Sequence, residues 1–138
     1  MKLILQGWLG LDSDGNIGIS KKRIKRKYCY LYSSIATEIM DYFNYKEVDE
    51  ELGKKSTTIK NANLRCWFSD TECTLEEAQM NFESYMAIGN LLTQGHYVGY
   101  SEWTITGFEV ENLIIGGHDL EKELKDHTGQ YIHFILTN

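Results

Sequence analysis

Apolar and polar positions alternate with period two along most of this chain and switch to helical spacing in three places, which predicts strands interrupted by three helices. From Lys2 to Leu9, Leu3, Leu5 and Gly7 fall on one side and Ile4, Gln6 and Trp8 on the other. The turn-forming run Asp12-Ser13-Asp14-Gly15-Asn16 follows, and Ile17 to Ser20 then pairs back as a hairpin. Tyr28, Tyr30 and Tyr32 alternate on one side and predict a strand with an aromatic face. Ile35, Ile39 and Tyr42-Phe43 recur at helical spacing behind Ser34, a capping residue with Glu38 one turn later. Lys46 to Gly53 is polar and acidic and reads as a loop holding at most one bent strand.

The second half continues the pattern. Ser56 to Phe68 is β-rich, with Leu64, Cys66 and Phe68 opposite Asn63, Arg65 and Trp67, and the apolar phase shifts near Asn61 to Asn63 as at a bulge. Arg65 and Trp67 share the less buried face. Thr74-Leu75-Glu76-Glu77 is a capping box, and Ala78, Phe82, Tyr85 and Met86 carry the helix on to a left-handed end near Gly89. Its aromatic stripe reads as core. Gly95 to Gly107 is a long strand with aromatics on both faces, and Phe108 to Ile115 continues or returns as another. Asp119 caps a helix through Leu120 and Leu124 to about Asp126, Gly129 ends it, and Tyr131 to Leu136 is apolar enough to lie inside the sheet. The expectation is an α+β fold: a single domain over 1–138, with a mainly antiparallel, strongly curved sheet and about three helices on one side.

Composition narrows the class. With 138 residues, 42% of them hydrophobic, the chain holds one globular core and no second domain. It has no proline and no low-complexity tract, so nothing marks a linker. No apolar run approaches a membrane span, and the opening Met1-Lys2-Leu3-Ile4-Leu5-Gln6 is too soon interrupted for a signal peptide, so a cytoplasmic protein is expected. Cys29, Cys66 and Cys73, odd in number and irregularly spaced, suit reduced thiols. No CxxC or HExxH pattern occurs, and His96, His118, His127 and His133 stand apart, so neither a metal nor a cofactor is expected. Asp12, Asp14 and Asn16 have the alternation of a calcium loop, but Ile17 holds the position that needs glycine.

The net charge is −6, unevenly spread: Lys21 to Lys27 carries six of the fourteen basic residues, which leaves eight basic against twenty acidic elsewhere. A basic spot on an acidic body argues against general nucleic-acid binding, yet suits one polyanion, an acidic partner or a solvated arm.

No GxSxG, Walker A or GxGxxG signature appears, and no cysteine pairs convincingly with a histidine, so a binding protein is expected rather than an enzyme. The candidate site starts at Leu113 to Leu124, where Gly116-Gly117 precedes a helix start. Free main-chain N–H groups there attract anions, and glycines permit close approach, although such a pair also serves merely to turn a chain. Arg65 beside Trp67 offers bidentate and stacking contacts to a planar or phosphorylated ligand. Tyr100 and Trp103 add rings that stack on bases.

The layout resembles small accessory proteins of phages and mobile elements. The features that carry this are Gly7-Trp8-Leu9 through Asp14-Gly15, the capped helix after Trp67-Phe68-Ser69-Asp70, Tyr100-Ser101-Glu102-Trp103-Thr104, and Ile115-Gly116-Gly117-His118-Asp119-Leu120 before a last strand. Among these it resembles the Thoeris anti-defence sponges, which sequester cyclic ADP-ribose signals as oligomers without degrading them. The resemblance implies a counter-defence binding protein, a homo-oligomer with a small nucleotide ligand. Arg65 and the Gly116, Gly117 and His118 turn would meet phosphates, with Trp67, Tyr100 and Trp103 near a base. Two other readings stay open: an anti-CRISPR type of inhibitor whose acidic surface meets a host defence protein, and an enzyme acting on a nucleotide.

Overall fold

The computed structural model describes residues 1–26, 28–43, 47–49, 54–100 and 105–138, with the side chains of 47–49, 97–100 and 105–107 outside that description. Nine strands form a single sheet: β1 (Lys2–Leu11), β2 (Ile17–Ser20), β3 (Ser33–Ser34), β4 (Glu47–Asp49), β5 (Lys54–Ser69), β6 (Tyr85–Tyr100), β7 (Ile105–Ile115), β8 (His118–Asp119) and β9 (Tyr131–Thr137). The helices are α1 (Ile35–Phe43), α2 (Leu75–Asn81) and α3 (Leu120–Glu123), the last running into a 3₁₀ turn, Leu124–His127. The spatial order is β3-β2-β1-β9-β5-β6-β7-β8, with β4 beside β5, and every named pair is antiparallel. This is the expected α+β fold with a mainly antiparallel sheet. No described helix is long and apolar enough to cross a membrane.

The period-two pattern sorts the sheet into two faces. Leu3, Leu9 and Leu11 of β1, Leu64 and Cys66 of β5, and Ile132, Phe134 and Leu136 of β9 point inward and are buried. Ile35, Ala36, Ile39 and Phe43 of α1, with Leu120 and Leu124 beyond β8, close over them into one core. The opposite face carries Ile4, Gln6, Trp8, Arg65, Trp67, Met86, Ile88, Tyr131, His133 and Ile135. Not all helices lie on one side: α2 follows the outward end of β5, and its neighbour Cys73 accepts through its carbonyl from His133 Nε2 at 2.8 Å.

The sheet curls until its ends meet. The side-chain amide of Asn16, in the β1–β2 turn, donates to the Phe108 carbonyl and accepts from the Val110 N–H at 3.1 Å, while the Asp14 carboxylate accepts from the Phe108 N–H at 3.0 Å. These groups occupy the edge of β7 as a neighbouring strand would. Asp12 holds the turn itself, accepting from the N–H groups of Asp14 and Asn16, both at 2.9 Å.

Several elements depart from expectation. The alternating tyrosines do not make a strand: Tyr28 pairs with Leu11 as an isolated bridge, Tyr30 is exposed, and of the three Tyr32 alone is buried. Its ring takes the space above Gly10, where a Cβ would lie 2.0 Å from it. The helix expected from Thr74 to Gly89 stops at Asn81, because only Ala78 of it finds a buried contact and Phe82 turns extended. From Tyr85 onward the chain obeys its other period, with Ala87 and Leu91 inward and Met86 and Ile88 outward. Gly89 is then a strand residue set against Gly116, not a helix end. The expected bulge is present, between Ile59 and Ala62, with Asn61 at φ +54°.

Candidate functional site

Gly116 and Gly117 form the two-residue turn between β7 and β8, with Ile115 opposite His118 and φ of +55° and +86°. Two successive positive φ values match the tight hairpin turn in which glycine is favoured. Gly116 lies against the Ile88 carbonyl, 2.0 Å from where a Cβ would be, whereas Gly117 faces open space. The turn therefore feeds a strand residue before any helix, and α3 is one four-residue turn. One of its first amides is occupied by the protein: Asp119 accepts from the Lys122 N–H at 3.3 Å. Asp119, Glu121 and Glu123 make this corner anionic, against the cationic cradle a phosphate requires.

His118 is half-exposed and pairs through Nδ1 with Glu123 Oε1 at 2.9 Å. Its ring meets Tyr85 edge-on, centroids 6.1 Å apart. Tyr85 lies opposite Cys66 and shares its inward side; burial, reinforced by the Glu123 carboxylate, pushes its phenol up. Arg65 projects from the other face of β5 and is exposed. The Gly116–His118 turn and Arg65 are thus on opposite sides of the sheet. Trp67 is not on a less buried surface as expected, being 6% exposed. Tyr100 is described by its backbone alone, paired with Ile105, and Trp103 lies outside the described residues. Of the seven candidate positions, Arg65 and Trp67 share a face and Gly116, Gly117 and His118 share a corner; the structure does not bring the two groups together.

What it does bring together is the outward face of the sheet. At one end Trp8, Tyr131, His133 and Trp67 are buried. Arg23 lies over the Trp8 ring at 5.0 Å, and Tyr131 meets both Trp8 and His133 edge-on at 5.3 Å. At the other end the face is open, and its registered row runs Ile4, Ile135, Arg65, Met86 across β1, β9, β5 and β6, with Ile88 in the next row opposite Asn63. Ile4 is 51% exposed, Met86 45% and Ile88 59%. A solvated sheet face is normally polar; this one is apolar, and its charged members are Lys2, Lys60 and Arg65. Carboxylates stand at its margins: Glu72 and Glu77 beside Gln6 and Tyr131, and Glu109 and Glu111 paired with His96 and Lys54. The signal in sequence was a second apolar phase, Ile4 in β1 and Ile135 in β9, which reads equally well as burial on both sides.

Two carboxyl groups stand apart from the solvated acids. Glu121 accepts from the Ile17 N–H at 3.0 Å and lies near Asp12. Burial raises both above their ordinary values and main-chain donors oppose it; the Asp12 charge adds to the rise of Glu121, and the Asp14 charge to that of Asp12. They join α3 to the β1–β2 hairpin, and among the described residues no group of histidines, cysteines and acids is arranged to hold a metal ion. Cys66 is sealed in the core, where burial pushes its thiol up.

No protein-family model matches this chain, and no curated protein or solved structure is significantly similar to it.

Proposed function

We propose that this chain is a binding protein of the counter-defence type its layout resembles, acting without catalysis by covering part of another protein's surface. The observation that carries the reading is the open apolar row Ile4, Ile135, Arg65, Met86 with Ile88 beside it. Removing a half-exposed isoleucine or methionine from water contributes about 1 kcal/mol, so this patch supplies a substantial share of a specific protein contact. Arg65 stands in the middle of the row, and a second copy placed face to face would set two guanidinium groups near each other. A partner with an apolar ridge and a carboxylate opposite Arg65 fits better. The acidic corner at Asp119 to Glu123 favours this inhibitor reading over nucleotide sequestration, because a phosphate there would meet carboxylates first.

The test places a photo-crosslinking amino acid at position 88, and as a control at Lys125, which is exposed beyond α3. The expected result is an adduct with one defined protein from position 88 alone, abolished when Arg65→Glu is added. Equal labelling from both positions, or an adduct indifferent to Arg65→Glu, would refute the face. A homodimer adduct would replace the foreign partner by a second copy. A nucleotide carried through purification and lost in Arg65→Ala would restore the sequestration reading.

A further inference from the structure

The ladder between β1 and β2 covers only Trp8 to Leu11, because β2 ends at Ser20. Lys2 to Gly7 keep β9 on one side and have no described strand on the other. Alternation in antiparallel ladders decides which main-chain groups are left over. The Asp12 N–H bonds to Asn16 on the β2 side, and the Leu9 N–H bonds to Gln130 on the β9 side. Even-numbered residues of β1 therefore aim their N–H and C=O groups away from β9. The Lys2 carbonyl is taken by the Tyr42 hydroxyl. The N–H and C=O groups of Ile4 and Gln6 have no partner among the described residues, and these two residues line a groove of about 700 Å³.

That groove has the parts of a strand-binding site. Its floor is apolar, made by Leu5, Ile19 and the exposed Leu31, and its rim carries the exposed Lys21 and Lys22. The single acid that lines it, Glu38, already accepts from the Ser33 hydroxyl at 2.6 Å. We propose that the open edge of β1 at Ile4 and Gln6 takes up an extended, acidic segment of a partner protein as an added strand. Main-chain pairing supplies the affinity, and alternate apolar and acidic side chains, reaching the floor and the two lysines, supply the selection. A second copy using its own β1 edge is disfavoured, because it would bring another Lys2 towards Lys21 and Lys22. The inference deepens the protein-partner reading by naming how such a partner is gripped, and it uses the edge of the sheet rather than its face.

The probe is a fluorescein-labelled heptapeptide of alternating valine and glutamate, read by fluorescence anisotropy. Its lysine counterpart is expected to bind at least tenfold more weakly, and a version N-methylated on alternate amides to lose binding when the methylated edge is the one that pairs. Lys21→Glu with Lys22→Glu removes two exposed ion pairs and is expected to weaken the glutamate peptide about tenfold. Gln6→Pro deletes an N–H aimed at the guest while sparing the β9 ladder, a substitution that edge strands accept. It is expected to abolish binding with the melting temperature held. Equal affinity for the glutamate and lysine peptides, or indifference to both N-methylated registers, overturns the proposal. A peptide-free dimer by light scattering that Gln6→Pro dissolves would overturn it too, giving the edge to a second copy. Ile88→Glu separates the two readings: it is expected to leave peptide affinity unchanged, so failure of the peptide with survival of the position-88 adduct removes the edge site alone.

Discussion

Replacing Asn16 by alanine tests how the sheet closes. Asn16 is 5% exposed, and its amide makes two bonds to the edge of β7, at Phe108 and Val110, and a third to Asp12. Alanine leaves a carbonyl and an N–H without partners between β7 and the hairpin. An orphaned buried polar group costs roughly 1–3 kcal/mol, and since both sites are partly accessible the lower half applies to each, giving a total of about 2–4 kcal/mol. In a domain of this size that corresponds to a fall in melting temperature of about 10 °C. Urea denaturation gives the free energy, and amide hydrogen exchange gives the location. The Val110 amide is expected to lose protection by more than the global change, while amides in the β1–β9 ladder follow the global change alone. Asn16→Asp sharpens the test, because a carboxylate still accepts from Val110 but cannot donate to Phe108, and it adds charge beside Asp12. It is expected to be less stable than Asn16→Ala at pH 7 and to regain ground towards pH 4. An alanine variant within about 0.5 kcal/mol of the parent, with Val110 still protected, would show that the hairpin merely lies near β7 and that the sheet does not depend on this closure.

Gly116→Ala should destabilise by more than about 3 kcal/mol, since its Cβ would meet the Ile88 carbonyl, whereas Gly117→Ala, facing open space, should cost only the left-handed backbone penalty of about 1–2 kcal/mol; parallel thermal melts separate the two. Gly10→Ala should clash with the Tyr32 ring, and adding Tyr32→Ala should make the double variant more stable than the two separate losses imply, as a double-mutant cycle measures. Asp12 and Glu121 have folded-state values raised above those of the unfolded chain, so the folded protein binds more protons across the interval just above the ordinary 3.8 and 4.5. Stability should therefore fall as pH rises through that interval, and Glu121→Gln should flatten the fall in urea titrations taken from pH 4 to 7.

Much of the fold was legible because strands with one buried side announce it. In β1, Leu3, Leu9 and Leu11 mark the inward phase, and in β5 Leu64 and Cys66 do the same; the Asp12 to Asn16 turn, the capping box at Thr74 and the bulge near Asn61 are local chemistry that needs no distant partner. The failures came where two periods fit the same residues. Ala78, Phe82, Tyr85 and Met86 satisfy a helix, while Tyr85, Ala87 and Leu91 satisfy a strand, and the choice is made by β5, which offers a ladder from Ile59 to Cys66. Tyr28 and Tyr30 alternate as strand residues should, but β2 is too short to give them an edge, and the neighbouring place beyond it goes to Ser33 and Ser34.

The candidate site was less legible because a site depends on which faces converge, and parity along one strand says nothing of that. Arg65 and His118 were each chosen for sound local reasons, yet β5 sends Arg65 outward while the hairpin turn delivers His118 beside the inward Tyr85. Asp119 presents the same difficulty from the other side. The residue that announces a helix start is also the one that fills it, so a strong capping signal argues against an open anion site at the same amides. Ile4 carried the opposite lesson. Leu3 and Leu5 hold the inward phase of that strand, and an isoleucine between them must either be covered by something outside the sheet or remain exposed. At 51% exposure, with its main-chain groups turned to an open edge, Ile4 is where the outward face and the groove meet. A partner that adds a strand there would lie beside Ile4 at the end of the apolar row and leave Ile88, four strands along, untouched, which is why the edge and the face can be tested apart.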